Sequence, residues 1–365
     1  MGIDWIKRIL VVGAGTMGHS IAMVFAKGGY EVDLVDLEER IVKKALELIR
    51  SDLQTLKEAK IVDSKSIPRI QNRIHVSTSL EVAKDADLVV EAISEIPKAK
   101  KDLFKSLDQL CPRRSIFTSN TSYLNIFRLV TTERPEKVLI AHWYAPAHLI
   151  RLVDVVKGPR TSMKAVNTVK DLLLKLGKQP VVMKRFIPGY IVNRLQRAMA
   201  REIFYLLDHG YATPEEIDTA VKNSLGVRIP VIGVVQRYDY TGLDLALTFE
   251  KNPSIHLVSK EVPPKTLVDL VKKGCLGVKS GKGFYDYSAR KMEEVLRERD
   301  IKLIEMVRLL KKMERSSFSK KGPKIDPFGG AKPRLLRRGK EAPLRVNPEQ
   351  AQAFRPGSRR VDFSA

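Results

Sequence analysis

The chain has 365 residues, 44% hydrophobic and 29% charged, and a net charge of +23. That length is enough for two hydrophobic cores, and no apolar run approaches the ~18 residues that a membrane-spanning helix needs. The two cysteines, Cys111 and Cys275, stand far apart in no metal-like spacing, which implies reduced thiols, a cytoplasmic setting and no metal site.

The N-terminus, MGIDWIKRIL, passes almost at once into an apolar strand, which leaves no room for a signal peptide. That strand breaks into Gly13-Ala14-Gly15-Thr16-Met17-Gly18, and IAMVFAKGGY follows with helical apolar spacing. Each glycine has its own physical task. Gly13 allows the tight turn, Gly15 lets the backbone approach a pyrophosphate, and Gly18 lets the helix pack on the strand. The anion then sits on the unpaired N–H groups of the helix N-terminus. A second strand, YEVDLVD, ends in Asp36 at about the ~20-residue distance expected of a ribose-binding acid. A carboxylate there bonds the ribose 2′-hydroxyl and repels a 2′-phosphate, so the cofactor expected is NAD rather than NADP.

From Glu38 to about Lys60 runs a charged amphipathic stretch too long for an ordinary crossover helix, which predicts a projecting helical pair. Further strand-like runs follow at RIHVST, ADLVVEA, RSIFTSN, EKVLIAH, IRLVDVV and QPVVMK, with helical patterns near Lys98–Gln109 and Ser162–Leu176. This alternation predicts an α/β fold: a Rossmann-type, doubly wound, mostly parallel sheet with helices on both faces. At Pro188-Gly189 the character changes to helical patterns alone, which predicts a smaller all-α domain. The expected division is a nucleotide-binding domain with a helical arm over 1–187, a helical domain over 188–290, a terminal helix over 291–314 and a basic disordered tail over 315–365. In the helical domain, Thr213-Pro214-Glu215-Glu216 reads as a capping box.

A dinucleotide site implies hydride transfer, and removing hydride from an alcohol needs a base for the hydroxyl proton. Histidine suits that task because its pKa lies near neutrality. Of His19, His75, His142, His148, His209 and His256, only His142 and His148 end a late strand, where open α/β sheets bind ligands. Twelve residues after His142, Asp154 sits in the apolar run IRLVDVV. A carboxylate buried there needs a partner, and an imidazole N–H would serve. Position alone leaves two readings open, a catalytic base and a histidine held for structure.

Six motifs in order, GAGTMG with Asp36, ADLVVEAISE with Lys100, SNTS at 119–122, HWYAP at 142–146 before RLVDVV, PGYIVNRL at 188–195 and LGVKSGKGFYDY at 276–287, resemble the NAD-dependent 3-hydroxyacyl-CoA dehydrogenase family over residues 7–290. The resemblance implies that His142 is the general base, with Asp154 orienting its imidazole. It implies that Ser122 bonds the substrate oxygen and that Asn193 positions the thioester side, although either residue also fits as a local cap. Glu95, Lys100, Asn120 and Lys279 would belong to the cofactor region. The implied reaction is oxidation of a short (3S)-3-hydroxyacyl-CoA, such as the 3-hydroxybutyryl thioester.

The departures from the family pattern bear on the substrate. Ala145 replaces the usual Asn, Asp154 the usual Glu, and Gly233-Val-Val-Gln-Arg-Tyr-Asp the usual GPF-type segment. The lysines that grip coenzyme A on the helical arm find no one-to-one match, Lys57 and Lys60 being nearby candidates. NRLQ at 193–196 and SLGVR at 224–228 are similar to the L-gulonate 3-dehydrogenase and lambda-crystallin branch and to dehydrogenases of pyridine-carboxylate breakdown. Free hydroxy acids, hydroxymethyl compounds and a non-catalytic structural role therefore stand as alternatives.

Residues 316–365 hold twelve Lys/Arg against four Asp/Glu, so most of the positive charge lies in the body. A basic body suits a polyanionic ligand such as a dinucleotide or coenzyme A. The tail has Phe318, Phe328 and Phe354 but no patterned stacking platform, so a nucleic-acid partner is not expected. On YIVNRLQRAMAREIFYLL the stripe Ile191, Leu195, Met199, Ile203, Leu206 is wide for a small domain to cover, which predicts a homodimer. The competing expectation is that the terminal helix folds back over that stripe.

Overall fold

The computed structural model describes residues 2–315 apart from 253, 255, 256 and 259–261. The expected disordered tail and His256 lie outside the described residues. In chain order the elements are β1 (Arg8–Val12), α1 (Gly18–Lys27), β2 (Glu31–Val35), α2 (Glu39–Glu58), α3 (Ile67–Asn72), β3 (Ile74–Ser77), β4 (Leu88–Glu91), α4 (Pro97–Leu110), β5 (Ile116–Ser119), α5 (Ile126–Leu129), β6 (Val138–Trp143), β7 (Leu152–Lys157), α6 (Met163–Lys175) and β8 (Gln179–Met183). A helical series follows: α7 (Val192–Asp208), α8 (Pro214–Asn223), α9 (Leu225–Ile232), α10 (Gln236–Thr241), α11 (Leu243–Glu250), α12 (Lys265–Lys272) and α13 (Met292–Arg315).

All eight strands form one sheet in the order β3-β2-β1-β4-β5-β6-β7-β8. Strands β3 through β6 run parallel, as crossover helices require, while β7 pairs antiparallel with β6. The central strands are apolar throughout because both faces are covered. Ile9 and Val11 of β1 face one core with Ile21, Phe25, Ile49 and Val169. Leu10 and Val12 face the other, with Phe104, Leu107 and Phe117.

The long stretch after Asp36 does not project. Helix α2 buries Val42, Ala45, Ile49, Leu53 and Leu56 in the core, so its apolar face is fully used and only its charged face meets water. The Thr213 capping box forms as its sequence predicts, with Glu216 N–H on Thr213 Oγ1 at 3.2 Å and Thr213 N–H on Glu216 Oε2 at 2.8 Å.

Helices α7 through α12 contain no buried residue among those described. Ile191, Leu195 and Met199 are 46%, 48% and 42% exposed. The terminal helix does not cover them. Helix α13 returns to the sheet domain, where Ile304 is buried in the core, Arg297 pairs with Glu58, and Arg308 donates to the Ala59 carbonyl. Among the described residues no helix is long and apolar enough to cross a membrane.

Candidate active site

The turn after β1 shows what its three glycines do. Gly13 has φ +101°, and a Cβ on it would stand 2.5 Å from the Ala92 carbonyl oxygen. A Cβ on Gly18 would stand 1.6 Å from the Gly13 carbonyl oxygen. Backbone closes both positions to any side chain. Nothing lies within 4 Å of a Cβ built on Gly15, so the loop leaves space there before Thr16 and Met17 lead into α1. Ala14 N–H donates to Asp36 Oδ2 at 2.8 Å, which ties the carboxylate at the end of β2 to this loop. An open glycine, a helix N-terminus and a held carboxylate together fit a dinucleotide with a free ribose diol.

At the far ends of β4 and β5, charged groups are buried. Lys100 is 1% exposed and bonds Glu91, whose carboxyl is pushed up by burial although Lys100 and Ser119 hold it. Lys100 also lies 3.5 Å from Glu95 Oε2 and donates to the Ile93 carbonyl at 3.2 Å. Glu95 accepts from Thr121 Oγ1 at 2.8 Å and from Ser122 N–H at 2.5 Å. These two residues therefore brace the SNTS loop. Asn120 Oδ1 accepts from Trp143 N–H at 2.7 Å and straps that loop to the end of β6.

The antiparallel register of β6 and β7 places His142 directly opposite Asp154. Both are buried, at 4% and 1% exposure. Ser122 Oγ lies 3.2 Å from His142 Nε2, and Asp154 Oδ2 lies 3.5 Å from His142 Nδ1. The shorter acid thus leaves the imidazole just out of hydrogen-bond reach, and Nδ1 has no hydrogen-bond partner among the described residues. Tyr144 fills the gap, its hydroxyl donating to Asp154 Oδ2 at 2.6 Å. Burial and Asp154 hold the Tyr144 hydroxyl well above its ordinary pKa, so it stays protonated as a donor.

A second tyrosine walls the site. Tyr190 is 1% exposed, its ring centroid is 4.9 Å from that of His142, and its hydroxyl donates to the Thr121 carbonyl at 2.5 Å. Its φ of +50° is a left-handed conformation rare outside glycine, held by this burial and bond. Sequence reasoning missed both tyrosines, although each stands in a motif it used, HWYAP and PGYIVNRL.

Ser122 and Asn193 line one cavity of about 590 Å³ with Arg194, Arg197 and Arg201 of α7. Ser122 joins the two groups, meeting His142 through its Oγ and sharing the cavity wall with Asn193. Lys279 is not gathered with them by any contact among the described residues; it lies exposed in the turn Val278–Ser280. His148 is turned elsewhere, its Nδ1 2.9 Å from Ser20 Oγ and 3.4 Å from Asp52 Oδ2.

Residues 8–186 match the model of the 3-hydroxyacyl-CoA dehydrogenase NAD-binding domain, and residues 189–287 that of the 3-hydroxyacyl-CoA dehydrogenase C-terminal domain. The chain belongs to the 3-hydroxyacyl-CoA dehydrogenase family. It is an NAD-dependent oxidoreductase acting on CH–OH, and its cofactor is NAD. A probable 3-hydroxybutyryl-CoA dehydrogenase of Bacillus subtilis is 37% identical over 78% of this chain and 99% of its own length. A 5-formyl-3-hydroxy-2-methylpyridine 4-carboxylate 5-dehydrogenase of Mesorhizobium japonicum is 29% identical over 85% of this chain and 100% of its own. A crystal structure of a dehydrogenase of that pyridine carboxylic acid, described as an NAD+-dependent dismutase, superposes with TM-score 0.76 at 28% identity, covering 84% of this chain and 99% of that one.

Proposed function

We propose that this chain oxidises a short (3S)-3-hydroxyacyl-CoA, such as 3-hydroxybutyryl-CoA, to the 3-oxo thioester. The observation that carries the reading is the line Ser122 Oγ, His142 Nε2, Asp154 Oδ2 at the end of β6, with spacings of 3.2 and 3.5 Å. NAD, when bound, accepts the hydride from the alcohol carbon. His142 Nε2 takes the hydroxyl proton, Ser122 Oγ holds the same oxygen, and Asp154 stabilises the imidazolium from its other side. Asn193 positions the carbonyl end, and Asp36 selects the cofactor ribose. Steady-state NADH formation with 3-hydroxyacyl-CoA thioesters set against free hydroxy acids tests this. A thioester preference is expected, and turnover of free acids alone would overturn it.

Two observations favour a second reading, a small substrate with a free carboxylate. Helix α13 sits against Glu58 at the end of α2 and Ala59 just after it, beside Lys57 and Lys60, where the arm would grip coenzyme A. Arg194, Arg197 and Arg201 line the cavity of Ser122 and Asn193 without an ion pair among the described residues. If a free acid is the substrate, Arg197→Gln with Arg201→Gln raises its KM at least tenfold and leaves thioesters unaffected.

The uncovered stripe of α7 supports a homodimer, with a second copy burying Ile191, Leu195 and Met199.

A further inference from the structure

Between the end of β8 at Met183 and the start of α7 at Val192, the chain turns through two left-handed residues in succession, Gly189 at φ +79° and Tyr190 at φ +50°. Glycine adopts such a dihedral without cost, whereas a tyrosine is strained there and keeps it only because its surroundings demand it. What holds Tyr190 is its side chain. The buried ring packs on Phe186 at 6.2 Å between centroids and on His142 at 4.9 Å, and the hydroxyl donates to the Thr121 carbonyl at 2.5 Å. Burial, then Glu95 and Asp154, raise the pKa of that hydroxyl well above its ordinary value, so it stays protonated as a donor.

The Thr121 carbonyl belongs to the same peptide group as the Ser122 N–H. That N–H donates to Glu95 Oε1 at 2.5 Å, so the peptide before Ser122 is held at both ends. The peptide after it is held too, because Gly189 N–H donates to the Ser122 carbonyl at 3.0 Å. The Ser122 Cα lies between these two peptide planes, and fixing both planes fixes the direction of its Cβ. Rotation about Cα–Cβ is then the one freedom left, and the rotamer taken sets Oγ 3.2 Å from His142 Nε2. Of the three anchors, Glu95, Gly189 and Tyr190, only the tyrosine also packs on the His142 ring in the contacts described.

Resting on the roles of Ser122 and His142 proposed above, we propose that Tyr190 is a positioning residue for the alcohol oxidation: its hydroxyl locks the Ser122 peptide so that Ser122 Oγ and His142 Nε2 converge on one substrate oxygen. Displacements of about 1 Å at a reacting group cost on the order of 10²-fold in rate. A peptide free to rock at Thr121 moves Oγ off its line to Nε2, and the alcohol is then held where the base reaches it poorly. A phenylalanine at 190 keeps the ring against His142 and Phe186 and removes the lock alone.

The test is a double-mutant cycle on the full chain with saturating NAD, with 3-hydroxybutyryl-CoA and free 3-hydroxybutyrate as alternative substrates. Tyr190→Phe should lower kcat at least tenfold while calorimetry still finds one NAD bound per chain with affinity within twofold, so that the loss does not come from unfolded molecules. In a Ser122→Ala background the same substitution should change kcat less than twofold, because there is no longer a hydroxyl to aim. A merely structural tyrosine would lower kcat by the same factor in both backgrounds. A loss smaller than tenfold in Tyr190→Phe, or losses that multiply in the double variant, would overturn the proposal and leave Ser122 in its role. A Ser122→Ala chain as fast as the natural one would overturn the role of Ser122 itself, and the proposal with it.

Discussion

The Tyr144 hydroxyl donates to Asp154 Oδ2 at 2.6 Å, while the His142 imidazole stands 3.5 Å from the same oxygen. The acid opposite the base is therefore shared, and the tyrosine holds the better geometry. Asp154→Asn should lower kcat by about 10²–10⁴-fold with little change in NAD affinity, because the imidazolium loses its counter-charge. Tyr144→Phe leaves a buried carboxylate oxygen short of a donor, so it should cost about 1–3 kcal/mol of stability while kcat stays within tenfold. A larger loss of kcat in Tyr144→Phe than in Asp154→Asn would place the tyrosine, not the acid, in the chemistry.

His142→Gln should retain NAD binding and lose about 10²–10⁴-fold in kcat, the usual scale of general base catalysis. His148→Gln should lose far less, since its ring faces Ser20, Asp52 and Asp300. Parallel rate measurements on the two variants decide it, and an equal loss in both would count against His142 as the base.

Asp36→Ser removes both the ribose acceptor and the charge that repels a 2′-phosphate. Weaker NAD binding and a kcat/KM ratio shifted toward NADP are expected. An unchanged ratio in steady-state assays with the two cofactors would show that discrimination lies elsewhere.

Acid should loosen the docking of α13. Burial presses the His148 pKa down to about 4 from an ordinary 6.5, against the opposing pull of Asp52 and with small additions from His19, Lys178 and Lys27. The unfolded chain therefore binds the proton first. Stability from a neutral His148 is complete above pH 6.5 and is lost as pH falls from there to about 4. Its size is about 3 kcal/mol at 1.36 kcal/mol per unit. Denaturation midpoints across this window should fall more steeply in the natural chain than in His148→Gln.

Light scattering at micromolar concentration should give twice the 41.2 kDa of one chain. Leu195→Glu with Met199→Glu should halve that mass. A natural chain that is monomeric at the same concentration would leave the α7 stripe without a partner copy.

Much of this fold was legible as apolar runs, since a strand covered on both faces has no polar alternation to obscure it. All eight runs became strands, and the glycine loop, Asp36 and the Thr213 capping box stand where local chemistry put them. Direction and partnership were not legible. Nothing in IRLVDVV says that β7 turns back along β6, yet that reversal alone sets Asp154 across from His142. The charge on α2 suggested a free arm, because the sequence does not say how many neighbours an amphipathic face will find. The course of α13 depended on one buried isoleucine, Ile304, among many candidate apolar positions. Tyr144 was hidden because its role follows from the methylene that Asp154 lacks.

The glycine loop divides its labour between the chain and its ligand. At positions 13 and 18 a methyl group would collide with peptide backbone, so the fold itself forbids it. At position 15 a methyl group meets nothing in the protein. A mutational survey scored only by folding would therefore rank Gly15 among the dispensable residues of the loop, and one scored by NAD-dependent turnover would rank it with its neighbours.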